Sequence, residues 1–567
     1  MSNDTRPEME RIKEDSKYLR GTIKEELTSE STHFVKDTSQ LLKAHGTYQQ
    51  DDRDVRIPRR KEGKEPLYSM MVRSKVPGGR LNAQQYLVHD ELADLYGNHS
   101  LRITTRQGFQ FHSVFKKNLK PVIRKINEKL GTTLGACGDN VRNVLGCPAP
   151  SEDRAKLKVY EYAKAISDQF LSRAGTYHEI WLNGEQVKDL SARKPEEVEP
   201  IYGKFYLPRK FKIAIAFPED NCVDVYTNDI GIVPEIKNGT LTGFNILVGG
   251  GQGMSHGAKD TFPRLADPFC FVAPGEILDI TKAIVLVQRD FGDRKSRKHA
   301  RMKYLIHDRG LPWFQTEVEK RFGKKLNPIH PIAWKGFEDH LGWQEQGNGL
   351  WYFGISIENG RIKDDGKLRL KAGLKAIVER FKTDVYLTTT QDLLVSGIKE
   401  KEKTEFERLL STYGIPLPDK LSMILKNSMA CPALPTCGLA ITESERTLPA
   451  LIDQLEAALN QLSLGSERIT LRMTGCPNGC ARPYSSEIGL VGRAVGTYNI
   501  YLGGNLDGTR LNQVYAENVP EGEILNQLTR VFTLFKSKRT QGEQFGNFCH
   551  RIGVSKIKEL AEQENKT

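Results

Sequence analysis

The sequence predicts an α+β protein made of two related halves around a pseudo-twofold axis. Three pairs of segments recur in the same order along the chain. These pairs are Leu101–Gln107 with Val385–Gln391, Cys147-Pro148 with Cys431-Pro432, and Asp229–Gly251 with Glu487–Asn505. The members of the first two pairs are 284 positions apart, and the glycine-rich ends of the third pair are 254 positions apart. Three matches in one order indicate an internal duplication, with a cofactor expected near the axis.

Each half is predicted to contain a helix followed by a β-strand. Helix-like periodicity covers Gln84–Tyr96 and precedes the apolar, β-rich stretch at residues 101–107. The same pattern covers Lys371–Phe381 and precedes the matching stretch at residues 385–391. Helices and strands therefore alternate in both copies, which favours a mixed α+β architecture over an all-helical one.

Length and composition indicate a globular chain with several domains. The 567 residues are 38% hydrophobic and 27% charged, which is an ordinary balance for such proteins. No window contains 18 uninterrupted apolar residues, so a membrane-spanning helix is not expected. The first residues, Met1–Arg6, are polar and do not resemble a secretory signal, so we expect a cytoplasmic protein.

The formal charge of +12 indicates an anionic ligand or an acidic partner. The basic residues are spread along the chain, whereas nucleic-acid-binding domains usually concentrate them in a stripe. Aromatic stacking platforms beside the basic residues are also sparse. We therefore expect no nucleic acid and no membrane among the partners.

Four of the nine cysteines form two close pairs. Five residues separate Cys431 from Cys437, and three separate Cys476 from Cys480. Two such pairs can place four thiolates around one metal centre. The wider first gap favours an iron–sulfur cluster, although zinc and scattered buried thiols remain alternatives. Cys137 and Cys147 have no predicted role beyond that of buried thiols.

Several basic and polar residues occur in strand-like or turn contexts. Arg102, Arg106, Gln110 and His112 have even spacing and are predicted to line one face of a strand. Other such residues are Arg73, Arg142, Lys210, Lys212 and the run Arg297–Tyr304. Cations in apolar strands need an anionic partner, such as a polycarboxylate cofactor or an oxyanion.

Motifs of several common enzyme classes are missing from the sequence. Gly249, Gly250 and Gly251 lack the spacing of a dinucleotide-binding fingerprint, and no Walker A lysine loop occurs. No nucleophile elbow or paired catalytic carboxylates of hydrolases are apparent. Neither a nicotinamide nor an ATP site is therefore expected on this chain.

Taken together, these motifs resemble the haemoprotein subunits of NADPH-dependent assimilatory sulfite reductases. They are also similar, more distantly, to ferredoxin-dependent sulfite and nitrite reductases. The likeness covers Tyr18–Leu27, Tyr48–Asp54, Arg102–His112, Leu207–Lys212, Gly249–Gly251, Gln288–Asp290 and both cysteine pairs. Its most specific part is Thr474–Cys480 with the upstream pair. The resemblance implies the duplicated nitrite/sulfite reductase fold, with three domains around a central sirohaem and a 4Fe–4S cluster.

The resemblance also implies a role for each candidate site residue. Cys431, Cys437, Cys476 and Cys480 would hold the cluster, and the Cys480 thiolate would also bind the sirohaem iron. The residues expected to act on the substrate are Arg73, Arg142, Lys210 and Lys212. The residues expected to contact sirohaem are Arg102, Arg106, Gln110, His112, Gly249, Gly250, Gly251, Arg297, Arg301, Lys303, Asn478 and Cys480.

We divide the chain into a charged N-terminal arm and three predicted domains. The arm covers residues 1–66 and could wrap or dock a partner. Residues 67–135 and 337–410 would form a paired, ferredoxin-like repeat domain. Residues 136–336 would form the first cofactor-clasping domain, and residues 411–567 the second, which carries the cluster cysteines.

The implied reaction is the six-electron reduction of sulfite to sulfide in cysteine biosynthesis. Electrons would come from a flavoprotein subunit that carries FAD, FMN and the NADPH site, so a hetero-oligomer is expected. Ferredoxin is the alternative donor, and reduction of nitrite to ammonia is the alternative reaction on the same scaffold. A third alternative, from another class, is a non-catalytic iron–sulfur or zinc protein that binds nucleic acid.

Overall fold

A computed structural model describes residues 6–183 and 199–563 of the chain. The first five residues of the polar N-terminus interpreted above lie outside these ranges. Within the described ranges, every helix is too short or too polar to cross a membrane.

Helices and strands are mixed along the described chain, as the sequence predicts, and several of them occur in runs of one type. The strands are β1 (Thr47–Asp51), β2 (Tyr68–Arg73), β3 (Arg80–Leu81), β4 (Leu101–Ile103), β5 (Phe109–Val114), β6 (Ile213–Ile215), β7 (Ile230–Lys237), β8 (Thr240–Val248), β9 (Asp267–Val272), β10 (Gly342–Glu345), β11 (Leu350–Ile355), β12 (Arg361–Ile362), β13 (Asp364–Asp365), β14 (Leu368–Arg369), β15 (Val385–Leu387), β16 (Leu393–Lys399), β17 (Ser428–Ala430), β18 (Leu471–Thr474), β19 (Ile488–Ala494), β20 (Thr497–Leu502) and β21 (Gln513–Pro520). The helices are α1 (Glu8–Asp15), α2 (Ile23–Leu27), α3 (Lys36–Leu41), α4 (Arg53–Lys61), α5 (Ala83–Tyr96), α6 (Leu119–Glu128), α7 (Arg154–Gln169), α8 (Thr176–Trp181), α9 (Ile277–Phe291), α10 (Met302–Arg309), α11 (Leu311–Phe322), α12 (Leu370–Phe381), α13 (Lys403–Thr412), α14 (Met423–Lys426), α15 (Leu448–Gln461), α16 (Ile524–Lys538), α17 (Phe545–Ile552) and α18 (Val554–Gln563).

Two five-stranded sheets form the paired repeat and exchange a short strand. Their strand orders are β1-β2-β5-β4-β12 and β10-β11-β16-β15-β3. The strand β12 lies in the second half of the chain but pairs with β4 of the first half. In return, β3 of the first half pairs with β15 of the second. Each sheet is therefore completed by two residues from the other copy.

The predicted helices before β4 and β15 are both present, as α5 and α12. Asn82 starts α5 with a capping box, in which its side chain accepts from the N–H of Gln85. The buried face of α5 carries Tyr86 and Leu92, and that of α12 carries Leu374. The two helices pack against each other, so the repeats share one hydrophobic core.

The two cofactor-clasping regions also share one topology. In the first, β6 runs parallel to β7, and β8 and β9 follow as antiparallel neighbours. In the second, β18, β19, β20 and β21 repeat this arrangement, with β17 added at the edge. Three helices follow the last strand of each copy: α9 to α11 in the first and α16 to α18 in the second. The duplicated α+β fold predicted from the sequence is confirmed.

An ion-paired triad joins these two regions near the pseudo-twofold axis. Asp224 and Arg482 hold equivalent positions, since each has a positive φ and each precedes a short 3₁₀ turn. The Asp224 Oδ2 lies 2.9 Å from Arg482 Nε and 2.5 Å from Arg472 Nη1. All three side chains are buried, so one carboxylate is shared as the counter-charge of two cations that water does not reach.

We expect Asp224→Asn to destabilise the protein by about 3 kcal/mol, because two buried guanidinium groups lose their counter-charge. Asparagine keeps the shape of the side chain and tolerates the positive φ at this position. The measurement is the midpoint of thermal or denaturant unfolding. Asp419→Asn, at an exposed ion pair with Lys420, is the control and should change stability by less than about 0.5 kcal/mol. An equal effect of both substitutions would contradict the role of the triad.

The described part of the segment predicted as a charged arm, residues 1–66, packs on the rest of the protein and contributes one strand. Residues 47–51 form β1, which pairs with β2 at the edge of the first sheet. Earlier residues pack on the first cofactor-clasping region, where Lys13 donates to Leu207 O at 3.0 Å and Glu10 accepts from Arg294. Apolar side chains of this segment, such as Phe34, are buried. The charged residues of this segment lie between apolar side chains that anchor it.

Candidate functional site

Two loops bring the four paired cysteines to one edge of a sheet. Cys431 follows β17 directly, and Cys437 ends the same loop. Cys476 and Cys480 follow β18 after a single glycine, Gly475. Because β17 and β18 are parallel neighbours, their carboxyl ends meet at the same edge. The sequence spacing thus becomes a spatial cluster through the sheet topology.

The four thiols lie close enough to affect one another electrostatically. Burial raises the pKa of Cys431, and the nearby Cys480 and Cys476 raise it further. Burial and Cys480 likewise raise the pKa of Cys476 to about 12. Thiolates in such a setting need a bound cation to stay deprotonated, which is what iron provides in a cluster.

Gly475 allows the two loops to approach each other. A Cβ atom at this position would lie 2.5 Å from Thr442 O and 2.7 Å from Ala433 Cβ. The Gly475 N–H donates to Cys431 Sγ at 3.3 Å, and Asn478 Nδ2 donates to Cys476 Sγ at 3.5 Å. Hydrogen bonds of this kind stabilise thiolates and tune the potential of a cluster. Asn478 therefore lies at the cysteine cluster, where its side chain contacts the sulfur of Cys476.

Cys480 differs from the other three cysteines because it is exposed, whereas Cys431 and Cys476 are buried and Cys437 is partly buried. Thr105 Oγ1 donates to the Cys480 carbonyl at 2.9 Å, which brings the turn after β4 onto the cysteine loop. Lys210 and Lys212 interact electrostatically with the Cys480 thiol. Cys480 is thus the exposed cysteine of the four and lies within electrostatic range of both lysines.

The prediction that Arg102, Arg106, Gln110 and His112 line one face of a strand is wrong about the single strand and about Arg106. Arg102, Gln110 and His112 still share one face, because Arg102 lies opposite Gln110 and His112 follows two residues later in β5. The chain turns between β4 and β5, where Gln107 has a positive φ, so these residues belong to a hairpin. Arg102 and Gln110 are cross-strand partners, and Gln110 also faces Arg73 of β2. Arg106 projects from the turn and donates to Asn228 Oδ1 at 3.0 Å and to Asn143 O. Even spacing could not reveal the turn, because it has no proline or Asn-Gly signal.

Arg102 belongs to a buried network behind the cysteine cluster. Its Nε donates to Glu445 Oε2 at 2.9 Å, and its Nη2 donates to Ala430 O at 2.8 Å, directly before Cys431. Arg361 Nε donates to the other oxygen of Glu445 at 2.7 Å. Although burial raises the pKa of Glu445, Arg102 and Arg361 lower it to about 2 overall.

We expect Glu445→Gln to destabilise the protein by about 3 kcal/mol at neutral pH, since it leaves two shielded guanidinium groups without a counter-charge. The folded-state pKa lies below the unfolded value of about 4.3. The contribution of Glu445 is therefore present above that value and is lost as the pH falls towards 2. The measurement is the difference in unfolding midpoint between wild type and variant, which should shrink between pH 5 and pH 3. Glu559→Gln, at an exposed pair with Lys556, is the control and should show a small, nearly constant difference.

Four basic residues predicted to act on the substrate converge from three parts of the chain. Arg73 ends β2, Arg142 follows the buried loop that starts at Gly135, and Lys210 and Lys212 precede β6. Arg142 Nε donates to Gly138 O at 2.9 Å, which fixes its side chain. In the described ranges, Lys210 and Lys212 donate no hydrogen bond from their side chains, and Arg73 Nε is buried without an acceptor. Unused donors on converging cations are typical of an anion site.

The environment of the two lysines favours proton transfer. Burial, then the neighbouring Arg209, lowers the pKa of Lys210 to about 7. Burial and Lys210 lower the pKa of Lys212 well below its usual value. Amines with such pKa values can give up a proton near neutral pH.

The other predicted cofactor contacts surround the same region. Arg297 pairs with Asp139 through two bonds of 2.7 and 2.9 Å, and Arg301 pairs with Asp229 at 2.8 Å. Lys303 donates to backbone carbonyls, among them Gly253 O at 2.8 Å. The glycine-rich turn from Gly249 to Gly251 packs closely here, since a Cβ at Gly250 would lie 2.0 Å from Tyr226 O and one at Gly251 would lie 2.9 Å from Arg301 Nη2.

The donor set fits an iron–sulfur cluster together with a polycarboxylate macrocycle. Four thiols supply soft ligands, which iron prefers. In the described part of the chain, buried atoms without a hydrogen-bond partner include Arg73 Nε, Arg106 Nε, Gln110 Oε1 and both ring nitrogens of His112. Polar atoms that are buried and unsatisfied usually await a ligand or water.

Three residues near the site were not singled out from the sequence. Arg53, from the N-terminal segment, donates to Ala440 O at 2.6 Å and to Cys437 O at 3.3 Å, which pins the first cysteine loop. Tyr48 lies beside Arg142 and Arg73; burial raises the pKa of its hydroxyl, and the two neighbouring charges only partly oppose that rise. Arg209 adds a third cation next to Lys210. Each had a sequence signal: Arg209 lies in the basic run with Lys210 and Lys212, and Tyr48 and Arg53 lie in the segment Tyr48–Asp54 that carries the resemblance.

Sequence models of two domain families match the chain. The nitrite and sulphite reductase 4Fe-4S domain matches residues 137–326 and 425–567. The nitrite/sulfite reductase ferredoxin-like half domain matches residues 62–129 and 344–413. Each family matches twice, in agreement with the duplication seen in the fold.

Curated proteins of similar length are 45% identical to the chain. One is the sulfite reductase [ferredoxin] of Synechococcus elongatus, which matches over 98% of this chain and 90% of its own length. Another is the sulfite reductase [NADPH] hemoprotein beta-component of Geobacillus kaustophilus, with 98% and 97% covered. The corresponding protein of Geobacillus thermodenitrificans also has 45% identity and the same coverage.

A solved structure shares the fold. The Mycobacterium tuberculosis NirA protein superposes with a TM-score of 0.80 at 22% identity, over 97% of this chain and 98% of that one. The resemblance noted from the sequence is thereby confirmed. On the strength of both domain matches and the full-length relatives, the chain belongs to the nitrite and sulfite reductase family.

Proposed function

We propose that the chain is the haemoprotein component of a sulfite reductase, which reduces sulfite to sulfide with six electrons. The observation that carries this proposal is the convergence of unpaired Lys210 and Lys212 on Cys480, the exposed member of the cysteine cluster. An anionic substrate that takes up electrons and protons together needs both features side by side. The names of the relatives support sulfite as the substrate.

The cofactors of this family are a 4Fe–4S cluster and sirohaem. We assign the cluster to Cys431, Cys437, Cys476 and Cys480, and we assign the sirohaem iron to the same Cys480 thiolate. When bound, the two groups store electrons and pass them singly to the sulfur atom. Support for a shared ligand comes from the exposure of Cys480 on the side of the basic residues.

The chain's own residues bind the anion and supply protons. We assign Arg73 and Arg142 to the oxygens of sulfite, because guanidinium groups bind oxyanions through paired hydrogen bonds. We assign proton delivery to Lys210 and Lys212, since each departing oxygen must leave as water. Arg106, Gln110, His112, Arg297, Arg301, Lys303 and the turn from Gly249 to Gly251 remain our candidates for contacts with the carboxylates of sirohaem.

The electron donor is an external redox protein, for which we propose a flavoprotein subunit that oxidises NADPH. Several relatives are named as beta-components of NADPH sulfite reductases, which implies such a partner in those proteins. Ferredoxin is the alternative, since a relative with equal identity is named for it. We place the protein in the cytoplasm, because thiols that must bind iron fit a reducing compartment.

The experiment is an absorption spectrum of the purified protein, followed by turnover assays. A haem-type Soret band with a red-region band that shifts when sulfite is added to the reduced protein is expected. Comparison of turnover with sulfite and with nitrite then decides the substrate, and comparison of reduced ferredoxin with NADPH plus flavoprotein decides the donor. Protein prepared with adequate iron and sirohaem supply that has no such bands would contradict the proposal.

A further inference from the structure

A second cluster of metal-ligating side chains lies apart from the four cysteines assigned to the iron–sulfur cluster. It consists of Cys147, Asp220, Cys222 and His340, and all four residues are buried. One ligand atom from each lies within 4.8 Å of all the others. No residue of this group has a role in the reaction proposed above.

Three separate segments contribute to this cluster. Cys147 follows a short bridge between Leu145 and Ala214 of β6. Asp220 and Cys222 lie in the loop after β6. His340 lies in the segment before β10, which links the first cofactor-clasping region to the second repeat.

The side chains already point at one another. The Asp220 Oδ2 lies 2.9 Å from His340 Nε2 and 3.2 Å from Cys147 Sγ. The other oxygen, Oδ1, accepts the N–H groups of Cys222 at 2.9 Å and Glu338 at 3.1 Å. The backbone thus orients the carboxylate so that one oxygen is left for the cluster, as hydrogen-bonded partners do around metal ligands.

The internal duplication gives two of these residues positions equivalent to those of iron–sulfur cysteines in the second copy. Cys147 is 284 positions before Cys431, the offset of the first two repeated pairs. The equivalent parallel pairs β6–β7 and β18–β19 align Ile213 with Leu471, a shift of 258 positions that aligns Cys222 with Cys480. Pro218 stands where the second copy has Cys476, so a set of four cysteines is not repeated.

We propose that Cys147, Asp220, Cys222 and His340 bind one zinc ion. Two thiolates, one imidazole and one carboxylate are ligands that zinc accepts in tetrahedral sites. The mixed soft and hard donors, together with full burial, favour a closed structural site over an iron–sulfur cluster. The ion joins the loop after β6 to the segment before β10 and so fixes the position of the second repeat.

The first test is metal analysis of wild-type protein produced with zinc in the medium. We expect about one zinc per chain, counted separately from iron, after removal of loosely bound metal by a chelator. X-ray absorption at the zinc edge should show Zn–S distances of about 2.3 Å and Zn–N or Zn–O distances of about 2.0–2.1 Å. Zinc-free wild-type protein, or zinc with oxygen and nitrogen ligands only, would overturn the proposal without any variant.

The second test uses a double substitution, Cys147→Ser with Cys222→Ser. Soluble variant protein should lose the zinc, and its unfolding midpoint should fall. Cys270→Ala, at a buried thiol in β9, is the matched control and should keep the zinc. Zinc retained by the double variant would overturn the assignment. A thiol count in denatured, unreduced wild-type protein would also overturn it if two of the nine cysteines were missing from the count. Cys147 and Cys222 would then form a disulfide and not a zinc site.

Discussion

We expect Cys480→Ser to abolish sulfite reduction and to remove the iron–sulfur cluster from the protein. Serine is a poor ligand for iron, because its hydroxyl remains protonated at neutral pH and oxygen is a harder donor than sulfur. Cys480 is also the exposed cysteine that faces Lys210 and Lys212, so the same substitution disconnects the cluster from the substrate site. The loss should be complete, since three remaining thiolates leave one iron of the cluster without a protein ligand.

The measurements are the iron and acid-labile sulfide content, the visible spectrum and the rate of sulfite turnover. Cys549→Ala, a buried thiol in α17 of the same region, is the control and should keep cluster and activity. Full turnover in Cys480→Ser would show that the bridging assignment is wrong. If Cys549→Ala also lost the cluster, the loss in Cys480→Ser would reflect a general sensitivity of this region to substitution and not the role of Cys480 as a ligand.

Lys210→Met is expected to keep both cofactors and to lower the rate of sulfite reduction by about 100-fold or more. Methionine fills a similar volume but carries neither charge nor proton. The burial of Lys210, with the nearby Arg209, lowers its pKa to about 7, so the amine can donate a proton under working conditions. Removal of the Lys210 amine should lower kcat and leave the cofactor content unchanged.

The measurements are cofactor absorbance and the pH dependence of turnover. Lys298→Met, on the exposed surface of the first cofactor-clasping region, is the control and should be silent. The turnover rate of the wild type should fall at alkaline pH, as Lys210 loses its proton. The pH profile of Lys210→Met should not show this alkaline decrease. If Lys210→Met instead loses sirohaem, the lysine holds the macrocycle and is not a proton donor.

Much of the fold was predictable because the duplication left readable offsets in the sequence. Long elements with clear periodicity, such as α5 and α12, were found with boundaries correct to within one residue. The exchanged strands β3 and β12 were not, because two residues carry no periodicity. Their pairing depends on tertiary contacts between halves, which a local pattern cannot encode.

The site was predictable to the extent that its chemistry depends on spacing. The spacing of the cysteine pairs indicated a metal cluster. The structure adds the reason that the pairs meet: the parallel strands β17 and β18 bring both loops to one edge of the sheet. A hairpin divides the series of Arg102, Gln110 and His112, which the spacing did not reveal, although these residues still share one face. Arg102 also pairs with Glu445 behind the cluster. Cys147 is buried, as predicted, and its 284-residue offset from Cys431 is the sequence feature that the zinc proposal uses.

The exchange of β3 and β12 has a consequence for how such a chain could arise. If each half were a separate polypeptide, the same two strands would pass between subunits, and completion of each sheet would depend on protein concentration. Joining the halves in one chain turns that association into an intramolecular step with a high effective concentration. The fused copies can then diverge, because neither has to serve both sides of a symmetric interface.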